Sequence, residues 1–246
     1  MSKSFKIRVI IPNTSKDFLK NHRAELQKEF PEIEVVSLSA GPESVEDFLD
    51  EVIAGPDTIR LVKDAEEKGF DAVVISCFAN PAIDACRSVV SIPVVGAGIA
   101  SLLTALSLGE RIAVVTVLRE TIPSIEHFVK ILGLTSSVVS IRAASIGVLE
   151  LEKDKEKTFS ALLNESVAAV EEDRADVIAL GCTGMAGIDK ALMKELKKRN
   201  YEVPVIDPAR TAIRWAEMLV KLGLSSSKAT YKLAPPKKRT VAATKF

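Results

Sequence analysis

Short apolar runs punctuate this chain at regular intervals, and longer amphipathic stretches separate them. The first run is Lys6-Ile-Arg-Val-Ile-Ile11, and others follow near 33–38, 72–76 and 93–96. Their length and their Val and Ile content predict strands buried on both faces, as in parallel sheets covered by helices. Capping-type signals at Thr14-x-x-Asp17 and Ser44-x-x-Asp47 predict helix starts between the strands. Pro31 and Gly69 predict helix ends, and Gly55-Pro56-Asp57 predicts that the second crossover is split into two helical pieces. A long helix is expected over about 152–173, with Leu162, Leu163, Val167 and Val170 on one face.

The pattern then repeats. At an offset of 105 residues, Asp71-Ala-Val-Val-Ile-Ser-Cys77 lies over Asp176-Val-Ile-Ala-Leu-Gly-Cys182. The same offset places Lys6–Ile11 over Arg111–Thr116, Ile33–Val36 over Val138–Ile141, and Ile83-Asp84 over Ile188-Asp189. Farther on, Ile92-Pro93-Val94-Val95 answers Val203-Pro204-Val205-Ile206 at an offset of 111. Four strands matched in order identify an internal duplication.

The expected fold class follows: α/β, two pseudo-twofold-related lobes, each a four-stranded parallel sheet flanked by helices. Ligands of open parallel sheets bind beyond the carboxyl ends of the strands, so the candidate site is the cleft between the lobes. Cys77 and Cys182 each follow the third strand of their half, and a twofold axis would bring them face to face.

Composition narrows the function. The 33 basic side chains balance the 33 acidic ones, which argues against a nucleic-acid or membrane partner. The basic run Pro235-Pro236-Lys237-Lys238-Arg239 reads as a solvated end. No stretch has the roughly 20 apolar residues of a membrane helix, and the start at Met1-Ser2-Lys3-Ser4 carries no signal-peptide pattern, so a cytoplasmic location is expected. Three dispersed cysteines suggest free thiols, and two histidines give little support to a metal site. Gly96-Ala97-Gly98 and Gly181-x-x-Gly184 lack the dinucleotide fingerprint and read as tight turns.

A thiol at a strand end, before a helix, is expected to lie near unpaired N–H groups that favour thiolate. Pro81 is placed as the first helical residue after Cys77. Two thiols flanking a cleft suit inversion of a carbon acid beside a carbonyl: one removes a proton from one face and the other returns a proton to the opposite face. Backbone amides would meet the enolate charge, and no cofactor is needed. A free cysteine is also an ordinary small core residue. The matched positions of Cys77 and Cys182 favour chemistry, whereas Cys86 matches Ala191, lies in a predicted helix, and reads as core.

With these residues the chain resembles the aspartate/glutamate racemase superfamily, and within it the hydantoin racemase branch that includes allantoin racemases. The motifs are Pro12-Asn13-Thr14-Ser15, Gly41-Pro42-Glu43-Ser44-Val45-Glu46, Cys77-Phe78 with Pro81, Val115-Thr116, and Leu180-Gly181-Cys182-Thr183-Gly184-Met185. The likeness runs to about residue 223.

The resemblance implies racemisation without pyridoxal phosphate by Cys77 and Cys182, with a 5-substituted hydantoin or allantoin as substrate. It implies polar contacts from Asn13, Thr116 and Thr183, aided by backbone N–H groups near Gly184, with Phe78 as a cleft wall or ordinary core. It further implies a last helix near 208–222 packed on the first lobe. The first lobe then comprises 1–98 plus about 208–246 and the second 99–207, and a homo-oligomer is expected. Thr116 matches Ile11 and Asn13 matches Leu118 across the repeat, so recognition is one-sided although the thiols are symmetric.

Cys77-Phe78-Ala79 and Cys182-Thr183-Gly184 depart from the sequences of free amino-acid racemases, and Asn80 stands where hydantoin racemases often carry Asp. Three alternatives stay open. One is an aspartate or glutamate racemase, and another is a maleate-type cis–trans isomerase in which one thiol adds to the double bond. The third is a two-lobed small-molecule-binding protein, which needs a cleft but no matched thiols. A malonate-type decarboxylase fits less well, because that group keeps one of the two cysteines.

Overall fold

The computed structural model describes residues 5–240. In the first half, β1 (Ile7–Ile11), α1 (Lys16–Gln27), β2 (Glu34–Ser37), α2 (Phe48–Glu67), β3 (Ala72–Ile75), α3 (Ile83–Arg87), β4 (Val94–Gly96) and α4 (Ala97–Leu108) follow one another. The second half repeats the order with β5 (Ile112–Thr116), α5 (Ile122–Ile131), β6 (Val138–Ala143), α6 (Lys155–Glu171), β7 (Val177–Leu180), α7 (Asp189–Lys198), β8 (Val205–Ile206) and α8 (Pro208–Lys221). The strands form two four-stranded sheets, ordered β2-β1-β3-β4 and β6-β5-β7-β8, and every pairing is parallel. Strands β1, β3, β5 and β7 are buried at every position; β3 and β7 are apolar throughout, β1 includes Arg8, paired with Glu34 and Asp64, and β5 ends in the buried Thr116.

Helices α4 and α8 join the halves. Ala209, Ala212, Ile213 and Ala216 of α8 are buried against Ile7, Val9, Val74 and Val95 of the first sheet. Leu102 and Ala105 of α4 are buried with Ile112, Val114, Val177 and Ala179 of the second sheet. The helix that ends each half in sequence thus covers the sheet of the other. After α8, Ser225 Oγ donates to the Ser91 carbonyl and Lys228 Nζ to those of Arg87 and Val90, laying the chain beside α3. Residues 241–246, assigned above to the first lobe, lie outside the described residues.

Three local expectations are corrected. The caps are Ser15, accepting from Phe18 N, and Asp47, accepting from Asp50 N, rather than Thr14 and Ser44. Gly55-Pro56-Asp57 does not divide the second crossover, since α2 is one helix with Pro56 inside it. Proline costs a helix interior about 3 kcal/mol. Here the bond it cannot make would go to the carbonyl of Val52, a residue 73% exposed. Burial of Ala54, Thr58, Leu61, Val62 and Ala65 on the first sheet outweighs that cost. Pro81 does not begin a helix, because Asn80 and Ala82 adopt left-handed backbone and α3 starts only at Ile83.

Candidate active site

The two sheets end in equivalent ways. Ser76 N donates to Ile10 O at 2.8 Å, and Gly181 N donates to Val115 O at 2.7 Å. These positions match at the repeat offset, and each pairing carries its chain one residue beyond the strand to deliver a cysteine. Cys77 and Cys182 are both half-buried, free thiols and line one cleft of about 550 Å³ of empty space, part of it open to solvent. Apolar walls come from Ile11, Phe18, Val45, Val117, Ile125 and Val148.

The loop after Cys77 is held by Asn80, whose side chain donates to Phe78 O at 2.6 Å and accepts from Gly98 N at 3.0 Å, capping α4. A Cβ at Gly98 would lie 2.0 Å from Phe78 O, and one at Gly96 would lie 2.1 Å from Asn80 Oδ1. The glycines read as tight turns therefore serve close approach of this loop to α4. After Cys182 the chain makes a single 3-10 turn over Thr183–Met185, and Gly184 N donates to Cys182 Sγ at 3.4 Å.

Neither thiol gains the thiolate-favouring field expected from a following helix: α3 is five residues long and begins at Ile83, and the other turn spans three residues. Burial decides instead. It pushes the Cys77 thiol up to about 12, against the opposing Ala79 and Asn80 amides, with the nearby Cys182 and Glu51 adding to the rise. It pushes Cys182 up to about 11, where Glu46 adds and the Gly184 amide opposes. Both are protonated thiols at neutral pH.

Of the polar candidates, Asn13 lines the cleft, 4% exposed, with Oδ1 accepting from Ser15 N at 3.2 Å. Thr183 lines it too, its hydroxyl donating to the Ser76 carbonyl at 3.0 Å. Phe78 both walls the cleft and belongs to the core beneath the second sheet. Thr116 does not reach the cleft. It is fully buried, its hydroxyl paired with that of Thr121 at 2.9 Å, behind Gly181. Gly184 lies outside the cleft wall and meets the site through its bond to the sulfur.

The sequence reading missed the acidic wall. Glu46, Asp47 and Glu51 line the cleft, and none of its lining residues is Lys or Arg. Glu46 Oε1 accepts from Val148 N at 3.0 Å and so joins the lobes. Glu51 is raised above the usual carboxylate range by burial, although contact with Ser124 and nearby His127 oppose the rise. Glu46 closes the Gly41–Glu46 motif, whose sequence carries no sign that the carboxylate reaches the cleft. Among the described residues no three His, Cys, Asp or Glu side chains are arranged to hold a metal ion, and no helix is long and apolar enough to cross a membrane.

The family model for Asp/Glu/hydantoin racemases matches residues 7–216. The chain belongs to that family. It is a racemase, an isomerase acting on a small molecule. A hydantoin racemase of Pseudomonas sp. (strain NS671) is 40% identical over 97% of this chain and 95% of its own. The allantoin racemase from Klebsiella pneumoniae superposes with a TM-score of 0.89 at 31% identity, covering 98% of this racemase and 97% of that chain. The allantoin racemase from Pseudomonas fluorescens gives 0.87 at 34% identity, over 96% and 100%. Two lobes of parallel sheet flanked by helices are common to these folds and to this one.

Proposed function

We propose that this racemase inverts a neutral ring carbon acid, a 5-substituted hydantoin or allantoin, using Cys77 and Cys182 as paired acid and base without a cofactor. The observation that carries the reading is two repeat-matched thiols in one apolar cleft that holds three carboxylates and no cationic side chain. A free amino acid or a maleate-type diacid brings a carboxylate, and each anion would be desolvated beside like charges with no cationic partner. A hydantoin ring is neutral and offers N–H donors to such a wall. Its relatives' substrates point the same way: the names of those proteins specify hydantoin and allantoin.

In the proposed cycle the active form is the small fraction of enzyme in which one thiol has released its proton to solvent; that thiolate takes the ring C5 proton and becomes a thiol. The electron pair moves into the adjacent carbonyl, giving the enolate. The opposite thiol then protonates C5 on the other face and is left as thiolate, so one proton has crossed the cleft. The N–H groups of Phe78 and Thr183, each directly after a thiol, make no hydrogen bond among the described residues. We assign them to the developing oxyanion, with Asn13 on the ring. A two-lobed binding protein would need the cleft but not the matched sulfurs.

The three free thiols support a reducing, cytoplasmic setting. Exposed Phe48, Leu49 and Val52 on α2 support self-association, which light scattering would test.

The deciding experiment follows racemisation and deuterium uptake in heavy water with 5-substituted hydantoins, allantoin, aspartate, glutamate and maleate. Ring substrates are expected to racemise with uptake at C5. Cys77→Ser and Cys182→Ser should each abolish racemisation while sparing exchange of one enantiomer. Wild-type rates in either variant would refute the two-thiol mechanism, and turnover confined to aspartate, glutamate or maleate would refute the substrate class.

A further inference from the structure

Ser76 immediately precedes Cys77, and all three of its polar groups are engaged. Its N–H donates to Ile10 O, its hydroxyl meets His22 Nε2 at 2.9 Å, and its carbonyl accepts from the Thr183 hydroxyl at 3.0 Å. Thr183 in turn immediately follows Cys182. One serine therefore joins the two cysteine segments, through Thr183 lying 107 residues away, to a histidine on α1 that does not line the catalytic cleft.

His22 is 5% exposed, yet it is not packed tightly all round. One side faces the Phe18 ring with centroids 5.5 Å apart, and another borders a second cavity between α1 and the Leu151–Phe159 segment. The hydrogen bond to Ser76, more than close packing, orients the ring. Burial lowers the imidazole to about 4 against the opposing pull of Glu25, so the ring is neutral at neutral pH and its Nε2–Ser76 bond is not tied to a charge.

The arrangement is one-sided. Gly181 occupies the position that matches Ser76 and offers no hydroxyl, while His127, the repeat match of His22, is exposed and stands edge-on to Phe48. The two histidines of the chain are thus repeat-matched, but only one is wired to a cysteine segment.

We propose that His22 is a positioning residue that, through Ser76, holds the Cys77 sulfur in register with Cys182 across the substrate. The inference rests on the two-thiol reading. Proton transfer to and from one carbon depends steeply on the placement of both sulfurs, and displacements of about 1 Å cost rate without abolishing binding. His22 would therefore affect turnover more than affinity.

The test is a double-mutant cycle. His22→Phe keeps a ring but removes the hydrogen-bonding nitrogen, His22→Gln keeps a donor and an acceptor, and Ser76→Ala removes the same bond from its other end. His22→Phe and Ser76→Ala are each expected to lower kcat about tenfold with KM within about twofold. The double variant should be no slower than either single, and His22→Gln should recover most of the rate. A loss in the double variant equal to the product of the single losses would overturn the proposal. So would wild-type turnover in His22→Phe, or equal losses in His22→Phe and His22→Gln. Because Ser76→Ala is a minimal change, it keeps the test open if His22→Phe fails to fold. Failure of the two-thiol reading is separate, and appears as full racemisation by Cys77→Ser or Cys182→Ser.

Discussion

Alkylation of the native protein separates burial from strand-end activation as the factor that sets the state of the thiols. Burial raises Cys77 from 9.0 to about 12 and Cys182 from 9.0 to about 11. At pH 8 the thiolate populations should therefore be smaller than for an ordinary thiol by about 1000-fold and about 100-fold. The greater nucleophilicity of a more basic thiolate recovers part of this, leaving Cys182 about tenfold and Cys77 about 50-fold slower than a free thiol. Cys86 is fully buried in the core of the first lobe and should react more slowly still, because the reagent cannot reach it.

The assay is a time course with iodoacetamide, read peptide by peptide by mass spectrometry, at intervals from pH 7 to pH 10. Rates at Cys77 and Cys182 should climb about tenfold per pH unit with no plateau below pH 10. A plateau below pH 9, or reaction of Cys77 as fast as a free thiol at pH 8, would refute the argument and restore the thiolate expected from the sequence. The same shifts carry a sign for stability. The thiol pKa values are raised in the folded state, so their contribution is complete below about pH 9 and is lost as pH rises through 11–12. Denaturant midpoints should fall across that alkaline range.

Thr183→Val keeps shape but removes the donor to Ser76 O, and should lower unfolding free energy by about 1 kcal/mol in urea titration; an unchanged midpoint would show that the bond adds nothing. Gly184→Ala places a Cβ 2.9 Å from Leu151 Cδ1 and 3.0 Å from Phe18 Cε2. Overpacking should cost about 1–3 kcal/mol, and kcat should fall because the amide on Cys182 Sγ moves; wild-type turnover would refute this. A hydantoin with a carboxymethyl group at C5 should show kcat/KM at least about tenfold below its 5-methyl counterpart, given the carboxylate wall. Equal values would remove electrostatic exclusion from the account of specificity.

Sequence periodicity and self-similarity alone determined the number and order of strands, the duplication, and the equivalence of Cys77 and Cys182. Those features are local or translational: a strand buried on both faces must be largely apolar, and a duplicated segment keeps its spacing. Helix boundaries were legible to within a few residues. The continuity of α2 through Pro56 was not, because burial of its inner face is settled by a sheet distant in sequence.

Only the tertiary structure decided what surrounds the sulfurs. It brought Glu46 and Glu51 onto the cleft, turned Thr116 away toward Thr121, set Ser76 between His22 and Thr183, and replaced the expected helix ends with short turns. Each of these depends on which groups meet in space, across the lobes for Thr183 and Glu46 and within one lobe for Thr116 and His22, and on how much water they lose there. Desolvation is set by neighbours in space and not by neighbours along the chain, so the position of the thiols was written in the sequence and their protonation was not.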